Sequence, residues 1–84
     1  MTTKREYRGV ALWIIRDYLL KLGGTLVEKE CVHGKGWKAI FYEGTPVILG
    51  KLRFDTVQVD FEGEEASLKR LLAAFDLHMI RAGG

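Results

Sequence analysis

Apolar residues recur at Tyr7, Val10, Ala11, Ile14, Tyr18 and Leu22, the three-and-four spacing of one face of an α-helix. The pattern predicts a first helix over residues 7–22. Gly23-Gly24 should end it, because glycine enters the left-handed cap without a Cβ penalty. Leu12, Trp13, Ile15, Leu19 and Leu20 are apolar as well, so the stripe is wider than packing on one sheet requires. Deep burial in a curved sheet would absorb the surplus; so would a second contact surface. Leu12, Trp13, Ile15 and Leu20 are therefore the candidate interface residues.

Downstream the period shortens. Thr25 to Cys31 reads as a strand, with β-branched Thr25 and Val27 and no Pro or Gly. His33-Gly34-Lys35-Gly36 reads as a hairpin turn and Trp37 to Tyr42 as the returning strand, which carries large apolar groups on both faces. After the turn Glu43-Gly44-Thr45-Pro46, a third strand is expected from Val47 to Phe54, with a bulge at Gly50. The fourth, Thr56 to Glu62, alternates cleanly: Val57, Val59 and Phe61 inward, Gln58, Asp60 and Glu62 outward. A last helix follows Gly63. It opens with Glu64 and Glu65, which suit the positive end of the helix dipole, and it buries Leu68, Leu71, Leu72, Phe75 and Met79.

The expected fold is an α+β domain: helix, four-stranded antiparallel curved sheet, helix, with both helices on one face. Connections this short exclude parallel crossovers. Residues 1–84 form a single domain, with residues 1–6 and 81–84 expected to be flexible. The length supports that reading, since 84 residues have no room for a second core. The 48% apolar and 29% charged content is that of an ordered globular chain.

Charge alters the picture only slightly. The net +2 is too small for a nucleic-acid footprint by itself. Residues 1–40 hold eight Lys and Arg against four acids, and residues 41–84 five against seven, so the halves carry +4 and −2. No apolar run approaches the roughly 20 residues that span a bilayer, and no membrane partner is expected. The one cysteine, Cys31, cannot form an internal disulfide, which fits a reducing cytoplasm.

Candidate chemistry is sparse. Cys31 and His33 share one side of a strand, but two ligands leave a zinc ion half coordinated. No nucleophilic triad, zinc-helix or phosphate-loop motif is present, so no enzyme activity, metal or cofactor is expected. His33, Gly34, Lys35, Gly36 and Trp37 are candidate anion or ligand residues: two glycines around a lysine can turn backbone N–H groups toward an anion. They are equally ordinary hairpin residues. Gly83 and Gly84 are the candidate carrier tail, since a terminal Gly-Gly can thread a narrow channel and have its carboxylate activated as an acyl adenylate. A third set, Trp37, Lys38, Tyr42 and Arg53, would serve a ligand or nucleic acid bound on the sheet, although Asp60 and Glu62 repel phosphates.

The run Trp13-Ile14-Ile15-Arg16-Asp17-Tyr18-Leu19 ending in Gly23-Gly24-Thr25, then Leu49-Gly50-Lys51-Leu52, then Gln58-Val59-Asp60-Phe61-Glu62-Gly63-Glu64-Glu65-Ala66, resembles the C-terminal domain of MoaD-related proteins. In those chains the domain is fused to a copy of the molybdopterin synthase small subunit. The resemblance spans about residues 7–84. It implies a fold similar to the TATA-box-binding-protein class and a place in molybdenum or tungsten cofactor assembly, where the synthase small subunit carries sulfur as a thiocarboxylate on its terminal glycine. This chain lacks the ubiquitin-like domain that performs that role. The expectation is a small non-catalytic accessory domain that meets a protein partner or a second copy of itself, with a sulfur carrier acting through Gly84 as the alternative.

Overall fold

A computed structural model of the chain describes residues 1–83, and the side chains of residues 1–80. The elements run β1 (Thr2–Arg8), α1 (Leu12–Lys21), β2 (Thr25–Glu28), β3 (Cys31–Gly34), β4 (Trp37–Glu43), β5 (Val47–Leu49), β6 (Leu52–Phe54), β7 (Thr56–Gly63) and α2 (Glu65–Gly83). Five strands form one unclosed sheet in the order β1-β7-β4-β3-β2, with every pairing antiparallel; β5 and β6 pair only with each other. Both helices contribute to a core on one face of the sheet, as the α+β reading anticipates.

The alternation in β4 and β7 builds that core. Trp37, Ala39 and Phe41 of β4 and Val57, Val59 and Phe61 of β7 point to the helical side. They meet Ile15 and Leu19 from α1 and Leu68, Leu71, Leu72 and Phe75 from α2. Phe75 stacks edge-on against Phe61, with ring centroids 5.6 Å apart, and against Tyr7 at 5.8 Å. Burial of such aromatic and branched side chains supplies most of the stabilisation open to a domain this small, about 1.5–3 kcal/mol for each.

The end of α1 is a complete glycine cap. Gly23 adopts φ 99°, its N–H donates to the Leu20 carbonyl at 3.2 Å, and the Gly24 N–H donates to the Leu19 carbonyl at 3.0 Å. These bonds satisfy two carbonyls that the helix leaves open, so the Gly23-Gly24 stop stands as read.

The beginning of the chain corrects the sequence reading. Residues 1–6 are not a loose end, and Tyr7 does not open a helix: Thr2–Arg8 is an edge strand along β7, from Thr2 opposite Glu62 to Arg8 opposite Thr56. Gly9, at φ 72°, turns the chain into α1. The alternation in β1 is concealed because an inward position is filled by a charged residue, Arg5, which forms an ion pair with Asp76 of α2. Burial is the largest single influence on the Arg5 charge and opposes it, but the interactions with Asp76 and Tyr7 together outweigh it and hold the guanidinium pKa above its ordinary value.

Two expected strands are also divided. Thr25–Cys31 breaks at Lys29-Glu30 into β2 and the start of β3, so the next turn narrows to Lys35-Gly36. Val47–Phe54 is a hairpin and not one bulged strand: Gly50 takes φ 63° at the first position of the two-residue loop Gly50-Lys51, the position where a II′ turn requires glycine. No helix among the described residues is long and apolar enough to cross a membrane.

Candidate functional site

The β5–β6 hairpin is the feature that most sets this surface apart. Directly opposed residues of a hairpin share a face, so the pairs Val47–Phe54 and Leu49–Leu52 make one face wholly apolar, while Ile48 and Arg53 occupy the other. At the root of the arm this face is half-buried, and Phe54 lies against Gly9. At the tip it is open: Leu49 is 61% and Leu52 62% exposed, with Ile48 at 69% on the reverse side. Sequence reading missed the arm because Gly50 was taken as a bulge. The signal that could have found it is Gly-Lys between Val47-Ile48-Leu49 and Leu52-Arg53-Phe54, a two-residue loop between two short runs with apolar ends.

Beside the root of the arm lies a cleft of about 410 Å³. Val10, Leu12 and Trp13 form one wall; Glu43, Gly44 and Asp55 form the other, and Arg16 brings a cation. Trp13, 62% exposed, is therefore an accessible anchor at the mouth of a groove. The other interface candidates fall elsewhere. Ile15 is fully buried in the core, which removes it from any interface, while Leu12 and Leu20 are half-buried and pack against that core. The surplus of apolar residues in α1 is thus divided between a deeply seated helix and one outward tryptophan.

The five anion candidates do not form one set. Lys35, Gly36 and Trp37 line a second cleft of about 590 Å³ together with Ser67 and Arg70 of α2, residues the sequence reading did not join to the turn. Glu64 shares that cleft and offsets part of its positive charge. His33 lies exposed on the opposite, open face of the sheet, opposite Lys38. Gly34 has no room for a ligand, because the Trp37 indole occupies its free side.

The open face of the sheet carries Lys38, Ile40 and Tyr42 of β4 beside Gln58, Asp60 and Glu62 of β7. Its charges are matched: Lys38 pairs with Glu62 at 3.1 Å, and the Gln58 amide donates to Asp60 at 3.0 Å. The four residues proposed for a ligand on the sheet are scattered, since Trp37 points into the core, Lys38 and Tyr42 point away from it, and Arg53 belongs to the arm. Cys31 is half-buried two residues from His33, and among the described residues no group of three or more His, Cys, Asp or Glu side chains could hold a metal ion. Gly83 is the last residue of α2, and Gly84 lies outside the described residues.

Compared with known families, the chain matches the model for the archaeal MoaD-like protein over residues 3–84. No curated protein matches the chain.

Proposed function

Since the chain belongs to the archaeal MoaD-like family, we propose that it is a non-catalytic accessory domain that acts by protein contact alongside molybdopterin-related sulfur carriers. The observation that carries the contact reading is the arm: a three-residue-per-strand hairpin whose apolar face is half-buried at Val47 and Phe54 and bare at Leu49 and Leu52, next to an exposed Trp13. A two-stranded hairpin is marginal in water by itself, and large clustered apolar side chains outside a core mark an interaction surface. Polar chemistry offers little competition, because the charged groups of the open sheet face largely neutralise one another.

Crosslinking in the protein's own cells, followed by peptide mapping, tests this reading. Links to an enzyme or carrier of molybdenum or tungsten cofactor assembly support it, and a crosslink map containing none overturns it. The same digest reads the C-terminal peptide. A sulfur in place of one carboxylate oxygen at Gly84, or an acyl bond through it, would replace the accessory role with that of a carrier.

A further inference from the structure

The arm and the cleft at its root are complementary to each other, yet one molecule cannot join them, since the tip points away from its own root. We propose that the occupant is a second copy of this chain, with two arms packed antiparallel and face to face about a two-fold axis. This inference rests on the reading of the domain as a contact module and names the partner at that site.

The geometry follows from the register. Three residues per strand extend about 10 Å, so two arms laid antiparallel bring each tip to the other's root. Leu49 and Leu52 then cover the partner copy's Val47 and Phe54, completing on each arm an apolar face that is only half-buried at its root and bare at its tip. Phe54 lies against Gly9, and Val10 and Asp55, the residues that follow these two in sequence, line the cleft. The tip therefore also reaches Trp13. An isologous contact of this kind makes every interaction twice and leaves no open end, which is how a dimer avoids polymerising.

Charge agrees with this arrangement. Lys51 sits in the loop of the arm and Arg53 on its outer face, whereas the cleft holds Glu43 and Asp55 against the single cation Arg16. Arg53 reaches Asp55 of its own chain at 3.8 Å, but among the described residues neither Lys51 nor Glu43 has an ion-pair partner. In the two-fold arrangement Lys51 of each copy comes to Glu43 of the other.

Sedimentation equilibrium of the purified chain tests the proposal. The expected mass is twice the 9.5 kDa of one chain. The double variant Leu49→Asp, Leu52→Asp should sediment as a monomer with an unchanged far-ultraviolet circular dichroism spectrum. Should that variant fail to fold, charge reversal decides independently: Lys51→Glu should raise the dissociation constant about tenfold, both copies of the contact being lost together, and Glu43→Lys added to it should restore the dimer. A monomeric parent at concentrations up to about 100 μM, or a dimer indifferent to both sets of variants, overturns the proposal. Because only this chain is present, that failure is distinct from the absence of a cofactor-assembly partner in cells.

Discussion

Gly34 and Trp37 face each other across β3 and β4, and the indole fills the space that a side chain at position 34 would need. The ring also reaches Gly24, where an added Cβ would come within 2.9 Å of it and would crowd the Leu19 carbonyl at 2.8 Å. Gly24 after the α1 cap and Gly34 at the end of β3 thus form a slot for one large side chain, which joins the cap to the sheet. Gly34→Ala should therefore destabilise the domain by ~1–3 kcal/mol, the cost of overpacking. The measure is a lower urea midpoint at unchanged slope; an unmoved midpoint would mean that the indole can withdraw.

Two neighbours on α1 should behave in opposite ways. Ile15 is wholly enclosed and Trp13 is outward. In dilute solution Ile15→Ala should cost ~2–5 kcal/mol, and Trp13→Ala no more than ~0.5 kcal/mol. Thermal unfolding of the two variants side by side checks the order, and a larger loss at Trp13 would contradict the assignment of the core.

Tyr7 supplies a pH-dependent prediction. Its hydroxyl is buried with no hydrogen-bond partner among the described residues. Burial pushes the phenol above its ordinary pKa of 10.0, while nearby Arg5 partly opposes the shift. The folded state thus holds this proton more tightly than the unfolded one. The associated stability is complete below pH 10.0, the unfolded value, and is lost as pH rises through the higher folded value. Tyr7→Phe should remove that alkaline loss, and at neutral pH it should leave stability equal or slightly higher, because an unpaired buried hydroxyl disappears. Urea midpoints measured from neutral to strongly alkaline pH follow both effects; a marked loss at neutral pH in the variant would show that the hydroxyl has a partner.

Arg5 and Asp76 tie the edge strand to α2. Both side chains remain partly open to solvent, at 31% and 42%, so screening limits the value of the pair. Asp76→Asn should cost ~0.5–1 kcal/mol, and the difference from the parent should shrink in high salt. A difference that is constant with salt would point to packing and not charge.

What the sequence makes legible follows from where each element's signal lies. β7 and α2 carry undiluted periods: Val57, Val59 and Phe61 alternate, and Leu68, Leu71, Leu72 and Phe75 fall on one helical stripe, so their inward residues could be named in advance. β1 could not, because its inward row is Thr3, Arg5 and Tyr7, and an arginine at a half-buried position looks like a break until Asp76 appears beside it, 71 residues away. The break at Lys29-Glu30 has neither Gly nor Pro to announce it. For the site, outward Trp13 was identifiable by its excess over the helical stripe, while its neighbour Ile15 was not separable from it. Which of two apolar residues two positions apart faces the sheet depends on the helix start, and Ala11 provides no side-chain cap to fix that start. The cleft between Lys35 and Arg70 joins residues 35 positions apart, a distance that no local pattern spans.

The placement of β1 against β7 also governs the order of events during synthesis. Of the described strands, β1 leaves the ribosome earliest yet waits longest for its neighbour, since β7 ends only at residue 63, and closing so long a loop slows formation of the sheet. Throughout that interval the segment Thr2–Arg8 waits as an unpaired strand. Lys4, Glu6 and Arg8 along its solvent side are the charges that discourage such a strand from pairing with the wrong chain, so the polar alternation that hid β1 from the sequence reading also protects the nascent protein from aggregation.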